Sequence, residues 1–220
     1  MAGGIEVTKG MEGVVGRLRR HFDAVDGERE KVFHRARDLR RLSTQAIRAV
    51  HKGRIDQARE AVPGLEALSA ELSVKEGVFP FVEEALQEYA EMRLLLVFIE
   101  GGAFPAPGEI RTTERAFLLG LADCVGELRR HVLRLIREER VEEAAGFVDA
   151  MEDVFYALMQ FDHPDGVVPV RRKQDQLRPI IERTRAELTM VQSQLRLESR
   201  LKKLIPGKKQ RTRRRSRFPD

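Results

Sequence analysis

FVEEALQEYAEMRLLLVFIE, from Phe81 to Glu100, and AFLLGLADCVGELRRH, from Ala116 to His131, decide the fold. Both stretches are helical by composition, and each carries acids along one stripe. In the first, Glu84, Glu88 and Glu91 are spaced i, i+4, i+7, which at roughly 100° per residue holds them on one narrow face. That stripe runs on through Leu95 into the apolar block from Leu94 to Ile99, so its last acid belongs at the edge of something buried. In the second, Asp123 and Glu127 are i, i+4 partners. The opposite face, Leu118, Leu121, Val125, Leu128 and Val132, is a regular core stripe. Like charges four apart destabilise their own helix. Two helices that both accept this cost point to a divalent cation, since hard ions such as magnesium take oxygen ligands. The competing reading is a solvated face, the usual meaning of helical acid pairs in a chain with 34% charged residues.

Working outward, 220 residues with 42% hydrophobic side chains suffice for one domain with a sizeable core. The single cysteine, Cys124, excludes an intramolecular disulfide and fits a reducing, cytoplasmic setting. It sits within a helix and reads as packing. No apolar run approaches the roughly 18 residues of a membrane span, so no membrane partner is expected. The net charge of +5 is concentrated at the end: residues 201–220 hold nine Lys or Arg against one acid, which leaves residues 1–200 at −3. This tail reads as disordered, and a basic arm of this kind suits nucleic-acid phosphates.

No segment alternates like a half-buried strand for more than a few residues. The expected architecture is an all-α, single-domain bundle of about seven helices, residues 11–200, after a flexible lead-in, residues 1–10. The first helix is expected from Met11 to a break at Asp26-Gly27, and the second over Glu28–His51. A third follows over Arg54–Leu72, the acid-bearing fourth after Pro80, and a fifth over Thr112–Glu139. A sixth covers Val141–Phe161, and a last long helix starts near Val170 with a kink or restart at Pro179. Gly120 and Gly126 inside the fifth each cost roughly 1 kcal/mol against alanine, which predicts close approach of another backbone on the acid side.

On the second helix Arg37, Arg41, Arg48 and Lys52 fall within about 60° of one another, opposite the apolar side, by the same helical rotation. Such a cationic stripe can track a phosphate backbone. Arg171, Arg172 and Lys173 at the start of the last helix are further candidates. With 6% aromatic residues and no tryptophan, a base-stacking platform is not expected. Binding should be phosphate-dominated and fall steeply with salt. There is no glycine-rich phosphate loop, Cys–His metal spacing or GxSxG elbow. None of the five histidines follows a glutamate by three residues, so the Glu-x-x-His pairs of di-iron bundles are missing.

LQEYAE (Leu86 to Glu91) and FLLGLADCVGELRR (Phe117 to Arg130), in that order in an all-helical chain, resemble the translin family, and within it the translin-associated factor X type and its archaeal relatives. IRAVHKG (Ile47 to Gly53) and RRKQDQLRPIIERTR (Arg171 to Arg185) are weaker agreements. The resemblance covers roughly residues 20–200. It implies a protomer of seven helices in a closed homo-oligomer, often an octamer, that encloses single-stranded RNA or DNA. It further implies that Glu88, Glu91, Asp123 and Glu127 form the catalytic and metal-holding set of a magnesium-dependent endoribonuclease, with manganese as the other candidate ion. Glu91 and Asp123 are then the expected direct ligands, and Glu88 and Glu127 ligands or groups orienting a water. The alternative within the same family is a non-catalytic single-strand binder.

Overall fold

The computed structural model describes residues 10–204. Its elements are α1 (Met11–His51), α2 (Ile55–Ser73), α3 (Pro80–Glu100), a 3-10 turn (Pro107–Ile110), α4 (Glu114–Arg137), α5 (Val141–Leu158) and α6 (Arg171–Leu204). There is no strand among the described residues, and no described helix is long and apolar enough to cross a membrane.

Among the described residues there are therefore six α-helices instead of about seven, because the expected break at Asp26-Gly27 does not occur. Gly27 sits in open space, and a lone glycine costs a helix only about 1 kcal/mol, too little to end a run of 41 residues. Likewise α6 passes Pro179 without a restart, and residues 201–204, expected to begin the tail, are its last turn. The lead-in up to residue 9 and the basic run from residue 205 lie outside the described residues.

At the centre is α3. Pro80 occupies its first turn, where the missing N–H costs nothing. Nine of its side chains are buried, among them Leu86, Tyr89, Met92 and Leu95, because α1, α2 and α4 all pack on it. On the far side of α4 lie α5 and α6, which also pack on each other. One contiguous core results, of the helix-on-helix kind. Polar clamps fix the connection between α3 and α4. The buried Tyr89 hydroxyl donates to the Ile110 carbonyl at 2.8 Å, and Ser69 Oγ donates to the Arg111 carbonyl at 2.6 Å. Thr113 then caps α4, its hydroxyl oxygen accepting from the Ala116 N–H at 3.3 Å.

The first buried residue of α1 is Val32. Ahead of it the helix buries no side chain, with Met11, Val15, Leu18 and Phe22 each at least half exposed. From Val32 onward α1 lies against α3, and this second half brings its polar side chains to the acids.

Candidate nucleic-acid and metal site

Gly120 sets the geometry. A Cβ there would lie 2.7 Å from the Gln87 carbonyl oxygen, 2.8 Å from Ala90 Cβ and 2.8 Å from the Glu91 nitrogen. Only a hydrogen side chain lets α4 rest on the α3 backbone at this point. One turn further along α4, Asp123 consequently meets α3, accepting a hydrogen bond from the Gln87 amide. Gly126 plays no such part: it is exposed, with open space where a Cβ would be. The expectation of close approach holds for one glycine of the two.

The same contact gathers the four acids. Glu91 is pushed up to about pH 8 in its titration, first by burial, then by the charges of Asp123, Glu127 and Glu88, with Lys173 pulling the other way. Its three acidic neighbours each have a partner from another helix. Glu88 takes hydrogen bonds from Arg40 Nη2 at 3.2 Å and Thr44 Oγ1 at 3.1 Å, and the other Arg40 nitrogen reaches Glu84 at 3.1 Å. Asp123 pairs with Lys173 Nζ of α6. Glu127 pairs with His51 Nε2 of α1, whose side chain is nearly buried and whose Nδ1 is buried without a partner. Cys124, wholly buried behind the acids, has its thiol raised by burial and then by Glu91, Glu127 and Asp123, so it is packing and not a nucleophile.

Among the described residues no three His, Cys, Asp or Glu side chains already form a metal cage. The donor set nevertheless fits a hard divalent ion. Four carboxylates supply only oxygen, and the one at their centre is driven toward its neutral form by the others, a repulsion that a cation would relieve.

The seven predicted phosphate contacts divide into groups. Arg37 and Arg41 are exposed and line a cavity of about 300 Å³ with Phe33, Arg40, Phe81 and Glu88. Arg41 also bonds Asp38 at 3.0 Å. Arg48 and Lys52 are exposed further along, at the end of α1. Arg172 is exposed, and Arg171, also exposed, pairs with Asp162. Lys173 departs from expectation: it turns inward to Asp123, because its place on the first turn of α6 faces α4 and the acids attract it.

Four members of the arrangement escape a reading of the sequence: Arg40, Thr44, His51 and Gln87. Arg40 lies beside the cationic stripe, and Gln87 sits within LQEYAE. The only signal for His51 was its place in IRAVHKG, since its partner Glu127 is 76 residues away.

No protein-family model matches the chain. An uncharacterised protein of Methanocaldococcus jannaschii is 30% identical over 189 residues, covering 83% of this chain and 84% of the relative. Among solved structures, AfC3PO superposes with a TM-score of 0.72 at 27% identity, covering 81% of this chain and 97% of that one. The AfC3PO complex with duplex RNA gives 0.74, again at 27% identity, with 81% and 96% covered. NeC3PO without ligand shares the fold, with a TM-score of 0.72 at 19% identity over 80% of this chain and 96% of that one.

Proposed function

The chain belongs to the translin family, and from that premise we propose that it assembles into a closed homo-oligomeric particle, an octamer, that binds RNA and cuts it with magnesium. The observation that carries the reading is the convergence of Glu88, Asp123 and Glu127 on the half-buried Glu91. Such a set is costly in an empty bundle and useful only where positive charge arrives.

Glu91 and Asp123 would hold the ion, with Glu88 and Glu127 as further ligands or as orienting groups. Bound there, magnesium or manganese supplies Lewis-acid polarisation of a phosphate oxygen and a water of lowered pKa. The chain's own residues do the rest. His51 fixes the Glu127 carboxylate in one orientation. The Arg40 fork holds Glu84 and Glu88 in register. Lys173, paired with Asp123 here, would neutralise backbone phosphate when that pairing is given up. Arg37, Arg41, Arg48 and Lys52 align the strand through its phosphates, without reading bases.

A second reading, a binder that does not cut, is favoured by the three carboxylates already engaged by Arg40, His51 and Lys173. The deciding experiment incubates the protein, Glu91→Gln and Asp123→Ala with labelled RNA, in magnesium or in EDTA. The AfC3PO complex holds duplex RNA, so single-stranded and duplex forms are both included, with single-stranded DNA beside them. Cutting in magnesium by the unaltered protein, lost in both variants while binding persists, is the expected result. Binding by all three without cutting would establish the holder and remove the nuclease.

A further inference from the structure

Beside the acid cluster lies a cavity whose chemistry is not that of a metal site. Its volume is about 300 Å³, at the lower end of the roughly 300–1,000 Å³ typical of small-ligand sites. One wall is aromatic. Phe33 of α1 and Phe81 line it and meet edge to face at 5.3 Å, and the buried Phe79 backs Phe81, stacked with planes 9° apart and centroids at 5.5 Å. Phe33 remains 44% exposed. The other wall is cationic, built from Arg37, Arg40 and Arg41 on successive turns of the same helix. Glu88, the one member of the acid cluster in the lining, stands at the cavity wall beside Arg40 and Thr44.

We propose that this cavity is a nucleotide subsite, which seats one base of the bound strand against Phe33 and its phosphate on Arg37 and Arg41. The proposal rests on the RNA-binding reading above and adds to it a specific place and a stacking contact. Composition argued against any stacking platform; the fold supplies one by bringing residues from both ends of a 48-residue separation to one point. A phosphate alone would need the arginines but no aromatic floor, and an apolar ligand would need the floor but no arginines. A nucleotide needs both.

The three arginines are not equivalent. Arg40 is spent on Glu84 and Glu88, and Arg41 is shared with the exposed Asp38. Arg37 has no ion-pair partner among the described residues, so its fork is the one ready to take a phosphate bidentately. With Arg40 gripping Glu88, a nucleotide in the cavity places its neighbouring phosphodiester beside the carboxylates. The subsite therefore selects which bond of a strand is presented, by stacking and charge, with little dependence on base identity.

The chain has no tryptophan, so Phe33→Trp introduces a single indole at the cavity. The partial exposure of Phe33 leaves room for the larger ring. The full chain carrying this substitution is titrated, in EDTA, with an eight-nucleotide oligouridylate and with an abasic strand of the same length, while anisotropy of the labelled strand reports total binding. The expected result is quenched emission that tracks binding of the oligouridylate, with no quenching by the abasic strand. Arg37→Ala in the same background should weaken binding about tenfold and reduce the salt slope by about one. In the unsubstituted background, Phe33→Leu should weaken the oligouridylate about tenfold and leave the abasic strand unaffected. Binding of both strands with equal affinity and no change in emission would overturn the subsite and leave RNA binding standing. No binding of either strand at low salt would remove the subsite together with the reading it depends on.

Discussion

His51 Nε2 on α1 meets Glu127 Oε2 on α4, a contact that ties the end of the longest helix to the acid cluster. The imidazole is 7% exposed and the carboxylate 23%, so neither group has water enough to replace the other. His51→Ala is expected to cost about 1–3 kcal/mol, the penalty of stranding a half-buried acceptor. Urea unfolding measures it. In the proposed cleavage the same change should lower kcat by roughly 10- to 100-fold with little effect on KM, because an orienting partner is lost and no strand contact is.

Gly120 and Gly126 make a matched pair on one helix. Gly120→Ala puts a methyl within 2.8 Å of α3 backbone atoms and should destabilise by about 1–3 kcal/mol, as overpacking does. Gly126→Ala meets nothing within 4 Å and should stabilise by roughly 0.5–1 kcal/mol through helix propensity. Opposite shifts in the denaturation midpoint are the expected outcome. Equal shifts would mean that α4 does not lie on α3 as described.

The acids were legible in the sequence because they obey the 3.6-residue period, and the six helices because their apolar residues do the same. Their companions were hidden for a physical reason. Arg40, Thr44 and His51 act through side chains that cross from α1 to α3 or α4, over separations of 44 to 76 residues, and no local period records that. Lys173 was visible as a cation, yet its direction was set by the packing of α6 on α4. Gly27 misled for the converse reason: it looks like punctuation, but one glycine is a small cost within so long a helix.

Lys173 neutralises Asp123 where a cation would otherwise be wanted. Lys173→Gln should therefore raise the dependence of stability on magnesium. In EDTA the variant should melt lower than the unaltered protein. Added magnesium should return about 1 kcal/mol more to it, or roughly 2–4 °C in Tm for a chain of this size. An identical magnesium response in both proteins would show that Asp123 takes no ion.

Glu91 gives a pH dependence of definite sign. Its folded pKa of about 8 exceeds the ordinary carboxylate value of 4.5, so between these limits the folded state holds more protons than the unfolded one. Stability from this group is complete below pH 4.5 and is lost as pH rises through 8. Glu91→Gln is neutral throughout. In EDTA it should match the unaltered protein near pH 4.5 and exceed it by roughly 2–4 kcal/mol above pH 8, as read from paired urea titrations. A constant difference across that range would show that Glu91 is not buried among like charges.

His131 supplies the opposite dependence, at lower pH. It is buried on α4, with its ring 4.6 Å from Phe147 and its Nδ1 accepting from Arg134 Nη2 at 3.4 Å. Burial, then the charges of Arg134, His51 and Arg140, lower its pKa from 6.5 to about 4. Between those values the unfolded chain binds the proton and the folded chain does not. The stability is present above pH 6.5 and drains away as pH falls toward 4, by about 2–3 kcal/mol in total. His131→Phe keeps the aromatic contact and removes the titration. Its stability curve should be flatter than that of the unaltered protein from pH 6.5 down to 4, and the two should run parallel above pH 7. A variant curve that falls as steeply on acidification would show that the acid sensitivity of the bundle comes from its carboxylate pairs and not from this imidazole.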